Sequence, residues 1–201
     1  TAVDDVREAV QTAVGQRRTV VLNLPLDVQA ADLPGELPHP QPSVRPSPVT
    51  PSPADAARLA ELLSAAARPV FVAGRGAAGA RQALEDLAER CGALIATSAV
   101  ARGLFTGNPW SLDVSGGFAS PLAAELITDA DLVVGWGCAL NMWTMRHGRL
   151  IGPGARVVQV DVDADALGAH RPIDLGVVGD VAETAPAGAD VVLAEESTDD
   201  E

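Results

Sequence analysis

From residue 53 onward the chain alternates two hydrophobic periods, and this restricts it to a parallel α/β sheet wrapped by helices. The run Pro53–Ala67 is an Ala/Leu segment with helical spacing, followed by the fully apolar strand run Pro69–Ala73. The segment Ala78–Cys91 repeats the helical spacing through Leu84, Leu87 and Ala88, and Ala93–Thr97 is again a strand run. A helix over Ala119–Thr128, a strand over Asp131–Gly135 and strands over Arg156–Val160 and Leu175–Val178 complete the pattern. Five strands are read this way, with short helices expected around Asp163–Ala169 and after Gly179.

The first 53 residues do not share this pattern. Residues 2–15 carry apolar side chains every three or four positions up to Gly15, which predicts a helix stopped by glycine. The run Thr19–Leu24 reads as a strand closed by Pro25, which cannot donate to a ladder. One helix and one strand cannot enclose a core. The next segment, Leu33–Pro53, holds eight of the fifteen prolines and reads as an extended linker. Five of the last seven residues are acids. The expected organisation is therefore 1–32 as the closing helix and strand of a preceding domain and 33–53 as linker. Residues 54–186 would be a complete α/β domain, and 187–201 an acidic tail or the start of another linker.

Composition narrows the function. With 14 basic residues, all Arg, against 27 Asp and Glu, the formal net charge is −13, which argues against a nucleic-acid surface or an anionic membrane. Apolar runs such as Val70–Ala73 and Leu132–Trp136 are far shorter than the roughly 20 residues needed to span a bilayer, and no charged-then-apolar leader opens the sequence. The expectation is a soluble, cytoplasmic protein. Cys91 and Cys138 lie far apart and outside any metal-ligand spacing, so two buried thiols are expected and no disulfide or zinc site. At 3% aromatic residues the core must be aliphatic.

Ligands of such sheets collect at the carboxyl ends of the strands, where this chain concentrates glycine and aspartate. Gly74-Arg75-Gly76-Ala-Ala-Gly79 follows the first strand run, Gly135-Trp-Gly137 the third, Asp161-Val-Asp163 the fourth and Gly179-Asp180 the fifth. Glycines let amides approach a pyrophosphate, a helix N-terminus adds positive dipole, and a carboxylate after a later strand holds ribose hydroxyls. That chemistry suits a dinucleotide. Each glycine turn also has a plainer reading, as a tight turn in an Ala/Gly-rich chain.

Taken with the linker, these signatures resemble thiamine-diphosphate-dependent enzymes of the acetolactate synthase and 2-oxoacid decarboxylase type. Thr19-Val-Val-Leu-Asn-Leu-Pro-Leu-Asp-Val-Gln29 resembles the closing strand of that family's N-terminal, pyrimidine-binding domain. Arg68–Gly76, Ala93–Thr97 with Gly103, Ser115–Gly117, Asp131–Gly135, Arg156–Asp163 and Gly179-Asp180 resemble the successive signatures of its central domain. The resemblance spans about residues 1–185 and implies a doubly wound, Rossmann-like parallel sheet of about six strands with helices on both faces. It implies FAD or ADP in this domain in some members and no ligand in others. The positions it points to are Gly74, Arg75 and Gly76 near a pyrophosphate with Thr97 beside them. Gly116 and Gly117 would lie on the flavin side, Gly137 at the third signature, and Asp161, Asp163 and Asp180 towards the adenosine half.

The chain departs from the flavin-binding pattern at Ala139, which stands where those members carry an Arg, removing a bidentate phosphate partner. The resemblance places the catalytic Glu of the family upstream of residue 1. Its Gly-Asp-Gly motif with a downstream Asn pair for magnesium and the diphosphate has no counterpart, since Val181 follows Gly179-Asp180. No catalytic or metal-binding residue is therefore expected in this chain. Thiamine diphosphate and Mg2+ would belong to the parent enzyme only, with its N- and C-terminal domains as partners. His39, His147 and His170 are read as solvated or structural, and Arg102 as solvated or facing an anionic ligand. The stretch Leu140–Gly148 either packs Met142, Trp143 and Met145 on the sheet or lines a ligand channel. An alternative class is a free-standing nucleotide-binding or interaction module with a sheet like those of sirtuins and electron-transfer flavoproteins. Apolar surface on an uncovered strand implies self-association, most simply a homodimer.

Overall fold

The computed structural model describes residues 1–32, 35 and 46–196, with 190–196 described by backbone alone. The rest of the proline-rich segment, with His39, and residues 197–201 lie outside the described residues. Two compact units divide at Ser47/Pro48.

In the first unit, helix α1 (Ala2–Gly15) opens with a capping box between Thr1 and Asp4. It closes at Gly15, as the spacing predicts, with Gln16 as the cap and Arg17 taking the left-handed turn at φ 51°. The expected strand Thr19–Leu24 is not formed: residues 18–25 carry no ladder or helix, and a short helix α2 (Leu26–Ala30) follows. Strand propensity has no effect without a neighbouring edge to bond. Val20, Val21, Leu22 and Leu24 stay exposed.

The second unit begins with α3 (Pro53–Ser64), capped by Ser52 with Pro53 at the first helical position. Then come β1 (Pro69–Ala73), α4 (Arg81–Cys91), β2 (Leu94–Thr97), β3 (Ser111–Val114), α5 (Pro121–Thr128), β4 (Leu132–Trp136), β5 (Arg156–Asp161), β6 (Leu175–Val178) and α6 (Val181–Glu196). The six strands form one parallel sheet in the order β3-β2-β1-β4-β5-β6. Strand β3 is the one that hydrophobic pattern misses, since its Ser-Leu-Asp-Val run sits at the edge and is half exposed. Helix α6 runs on to Glu196, through the point where the acidic tail was expected to begin.

Both faces of the sheet are covered, so the central strands are apolar throughout. On one face Phe71, Leu132, Val134, Trp136, Val158, Val160 and Val177 pack with Leu59, Leu63, Leu84 and Leu87 of α3 and α4. On the other, Val70, Val72, Val133 and Val157 pack with Ile127, Leu140, Met145 and Leu150. Gln159 is a buried polar residue on this second face with its groups satisfied: its amide donates to Cys138 O and Ala166 O, and its oxygen accepts from Gly168 N–H. It ties the loop after β4 to the loop after β5, both at the carboxyl edge.

Candidate functional site

The strand order reverses between β1 and β4, and the loops leaving them diverge to opposite sides of the sheet. A cleft of about 750 Å³ opens there, lined by the residues that follow β1 to β5. Gly74, Arg75, Gly117, Gly137 and Asp161, five of the sequence-predicted positions, line it.

Gly76 and Gly116 support the cleft from behind. A Cβ on Gly116 (φ 85°) would lie 2.0 Å from Trp143 O, so only glycine lets the loop after β3 meet the loop after β4. That junction is also stitched by Gly117 N–H to Trp143 O at 3.1 Å and Ser115 Oγ to Thr144 O at 2.9 Å. Arg146 adds Nε to Gly116 O at 2.9 Å and Nη2 to Ala119 O at 3.0 Å.

Three predicted positions lie elsewhere. Thr97 is buried and donates to Asp113 O, facing a separate 300 Å³ hollow with Arg102, Asn108 and Ser111. Asp163 is exposed and caps the turn 164–166 through Asp165 N–H. Asp180 is engaged with the chain entering the domain: its carboxylate accepts Val49 N–H at 2.8 Å and its own N–H donates to Val49 O at 2.7 Å. Arg102 pairs with Asp113 at 3.3 Å on the surface.

The strand-end amides are largely occupied. Gly74 N–H donates to Trp136 O at 2.8 Å, Gly76 N–H to Gly137 O at 3.1 Å, Gly137 N–H to Val160 O at 2.8 Å, and Ala77 N–H to Gly74 O at 3.1 Å. The glycine motif leads into a 3-10 turn, Arg75–Ala77, and α4 starts only at Arg81. A nucleotide of the FAD or ADP type meets this cleft unevenly. Asp161 offers a carboxylate to a ribose while accepting Asp163 N–H, and the walls are largely apolar. The glycine amides that usually meet a diphosphate, those of Gly74, Gly76 and Gly137, are bonded within the protein.

The cleft-lining residues missed in the sequence include Ser98, Ala99, Val100 and Phe118. Ser98 was legible as the residue next to Thr97 at the end of β2. Phe118 and Trp143 are 80% and 73% exposed, so the stretch Leu140–Gly148 divides its roles: Leu140 and Met145 enter the core while Trp143 faces the cleft. At the cleft floor the Cys138 thiol is pushed up to about 12, mainly by burial and further by the Asp161 charge, against the pull of Thr144 and Ser98. Such a thiol is not a nucleophile near neutral pH. Ser98 Oγ, beside that thiol, is buried without a partner at full hydrogen-bonding geometry. Among the described residues no group of three or more His, Cys, Asp or Glu is placed to hold a metal, and no helix is long and apolar enough to cross a membrane.

Comparison with known proteins agrees with this architecture. Residues 56–187 match the family described as thiamine pyrophosphate enzyme, central domain. The chain is 28% identical over 174 residues to a probable acetolactate synthase large subunit of Methanocaldococcus jannaschii, covering 83% of this chain and 29% of that protein. It is 35% identical over 165 residues to a sulfoacetaldehyde acetyltransferase of Castellaniella defragrans, covering 79% and 27%. The fold superposes on benzoylformate decarboxylase from Polynucleobacter necessarius with a TM-score of 0.64 at 20% identity, over 93% of this chain and 35% of that one. The chain thus spans less than half the length of the curated relatives it matches. It belongs to the thiamine pyrophosphate enzymes, with residues 56–187 as their central domain.

Proposed function

We propose that this chain is the central part of an acetolactate-synthase-like enzyme that cleaves or joins bonds next to a 2-oxoacid carbonyl. Its own roles are to scaffold the neighbouring domains and to hold a nucleotide, FAD or ADP, in the cleft between β1 and β4. Thiamine diphosphate and Mg2+ would be held by N- and C-terminal domains of the parent, and the 201 residues alone turn over no substrate. The parent acts in the cytoplasm as a homo-oligomer.

The observation that carries the nucleotide role is the cleft at the switch point, lined by Gly74, Arg75, Gly137 and Asp161. The free-standing module reading loses support from residues 18–25, which carry no ladder, whereas all six sheet strands fall between 69 and 178. Calorimetric titration of the purified chain with FAD, ADP and NAD, with a flavin absorbance scan, tests the proposal. Micromolar binding of FAD or ADP supports it, and no binding leaves the domain a spacer. Pyruvate turnover by the chain with thiamine diphosphate and Mg2+ would overturn the assignment of catalysis to other domains.

A further inference from the structure

We infer that the cleft recognises the ring and sugar of its ligand and not a diphosphate, so that an uncharged nucleoside or flavin ring binds as tightly as its phosphorylated form. This rests on the nucleotide reading above and specifies what that site reads.

Strand-end glycines bind phosphate when their amides point unpaired at the anion and a helix N-terminus stands behind them. Here Gly74, Gly76, Ala77, Gly117 and Gly137 all donate their N–H groups to carbonyls of the protein. The glycines answer a different need, which is contact between backbones. A Cβ on Gly74 would lie 2.2 Å from Gly137 O, and one on Gly137 would lie 2.5 Å from Gly76 Cα. The α4 N-terminus is displaced from β1 by the 3-10 turn and is capped by no side chain.

Charge agrees with the amides. Among the described residues Arg75 is the one cation lining the cleft, and Asp161 lines it too, so their formal charges cancel and leave no net positive charge to offset the two or more negative charges of a diphosphate. Ala139 adds no charge to the wall.

The remaining wall suits a planar, uncharged group. Val100, Phe118 and Trp143 present exposed apolar surface to it, and aromatic faces accept flat rings. Ser98, 8% exposed, carries a hydroxyl whose neighbour is the Cys138 thiol, a weak partner outside full hydrogen-bonding geometry, and a ring heteroatom or sugar hydroxyl would be a stronger one.

The test is a set of titrations of the full chain with riboflavin, FAD, adenosine and ADP at low and high salt, repeated with Ser98→Ala. The expected result is riboflavin and FAD, or adenosine and ADP, agreeing within about threefold with little salt dependence, and about a tenfold loss in Ser98→Ala. FAD or ADP binding more than about tenfold tighter than the bare ring, with the advantage lost in salt, would overturn the inference and leave the nucleotide reading standing. It would assign the diphosphate to the amides of Arg75, Cys138 and Ala139. Absence of binding by all four at about 1 mM would overturn both. Ser98→Ala binding like the parent chain would also count against the inference.

Discussion

Gly76 and Gly137 meet backbone to backbone just beyond the paired ends of β1 and β4. The Gly76 N–H donates to Gly137 O at 3.1 Å, and a methyl group on Gly76 would lie 2.8 Å from Gly137 Cα. These residues follow β1 and β4, the neighbours between which the strand order reverses, so the close approach sets the floor of the cleft.

Substitution at this contact should destabilise the domain. Gly137→Ala meets both a φ of 53° and backbone atoms of Gly76, and a cost of about 2 kcal/mol or more is expected. Gly79→Ala, from the same GxGxxG motif, has nothing within 4 Å of its new methyl and should be close to neutral. Urea denaturation of both variants separates the two. Equal losses would mean that the motif's glycines are needed for something other than this contact.

Arg146 spans two acceptors with the geometry of a fork, Nε on Gly116 O and Nη2 on Ala119 O, from a backbone at φ 46°. Arg146→Ala should free the loop after β3 from the loop after β4, raising amide exchange at residues 115–119 and costing about 1–3 kcal/mol. Arg146→Lys should recover little of this, because an ammonium lacks the two fixed donors. Hydrogen-exchange mass spectrometry across 111–120 reads the effect.

Asp180 is a fastener for the incoming chain, its carboxylate and amide both bonded to Val49. Asp180→Ala should speed proteolysis near residues 46–50 and lower stability by about 1–2 kcal/mol, while cleft-ligand affinity stays unchanged. A weakened affinity at unchanged stability would instead return Asp180 to the nucleotide site that the sequence signature suggested.

Asp131 gives the fold an acid-sensitive joint. Its carboxylate accepts the Ala67 and Arg68 amides at 2.8 and 2.9 Å at the entry to β4. Partial burial pulls its titration upward, but those two amides and the Arg68 charge outweigh it and hold the carboxyl below its ordinary value. A lowered folded value means that the stabilisation is complete above the unfolded value near about 3.9 and is lost as pH falls through the folded one. Asp131→Asn should therefore lose stability at pH 7 and converge with the parent chain in acid, once pH has fallen through the folded value. Denaturation midpoints at the two pH values check this, and a constant difference would rule out the carboxylate charge as the source.

Much of the fold was legible because burial on both faces forces a continuous apolar run, and runs such as Pro69–Ala73 have no other stable placement. Strand β3 escaped because an edge strand with one wet side carries no such run, and its Asp113 even takes a left-handed φ of 59°. Thr19–Leu24 failed in the opposite direction, having strand composition with no ladder to join. The same rule that buries an apolar strand requires a partner for its amides, and partners are not written in the segment itself.

For the site, sequence spacing alone determined that glycines and aspartates gather at the carboxyl edge, since strand ends in a parallel sheet all face one side. It could not determine where each donor's hydrogen goes. Only the tertiary structure decided that Gly74, Gly76 and Gly137 spend their amides on carbonyls, that Asp180 holds Val49, and that Ser98 lines the cleft beside the Cys138 thiol. Those outcomes depend on distances between segments up to 131 positions apart. They are set by how the sheet packs and not by the order of residues along any one loop.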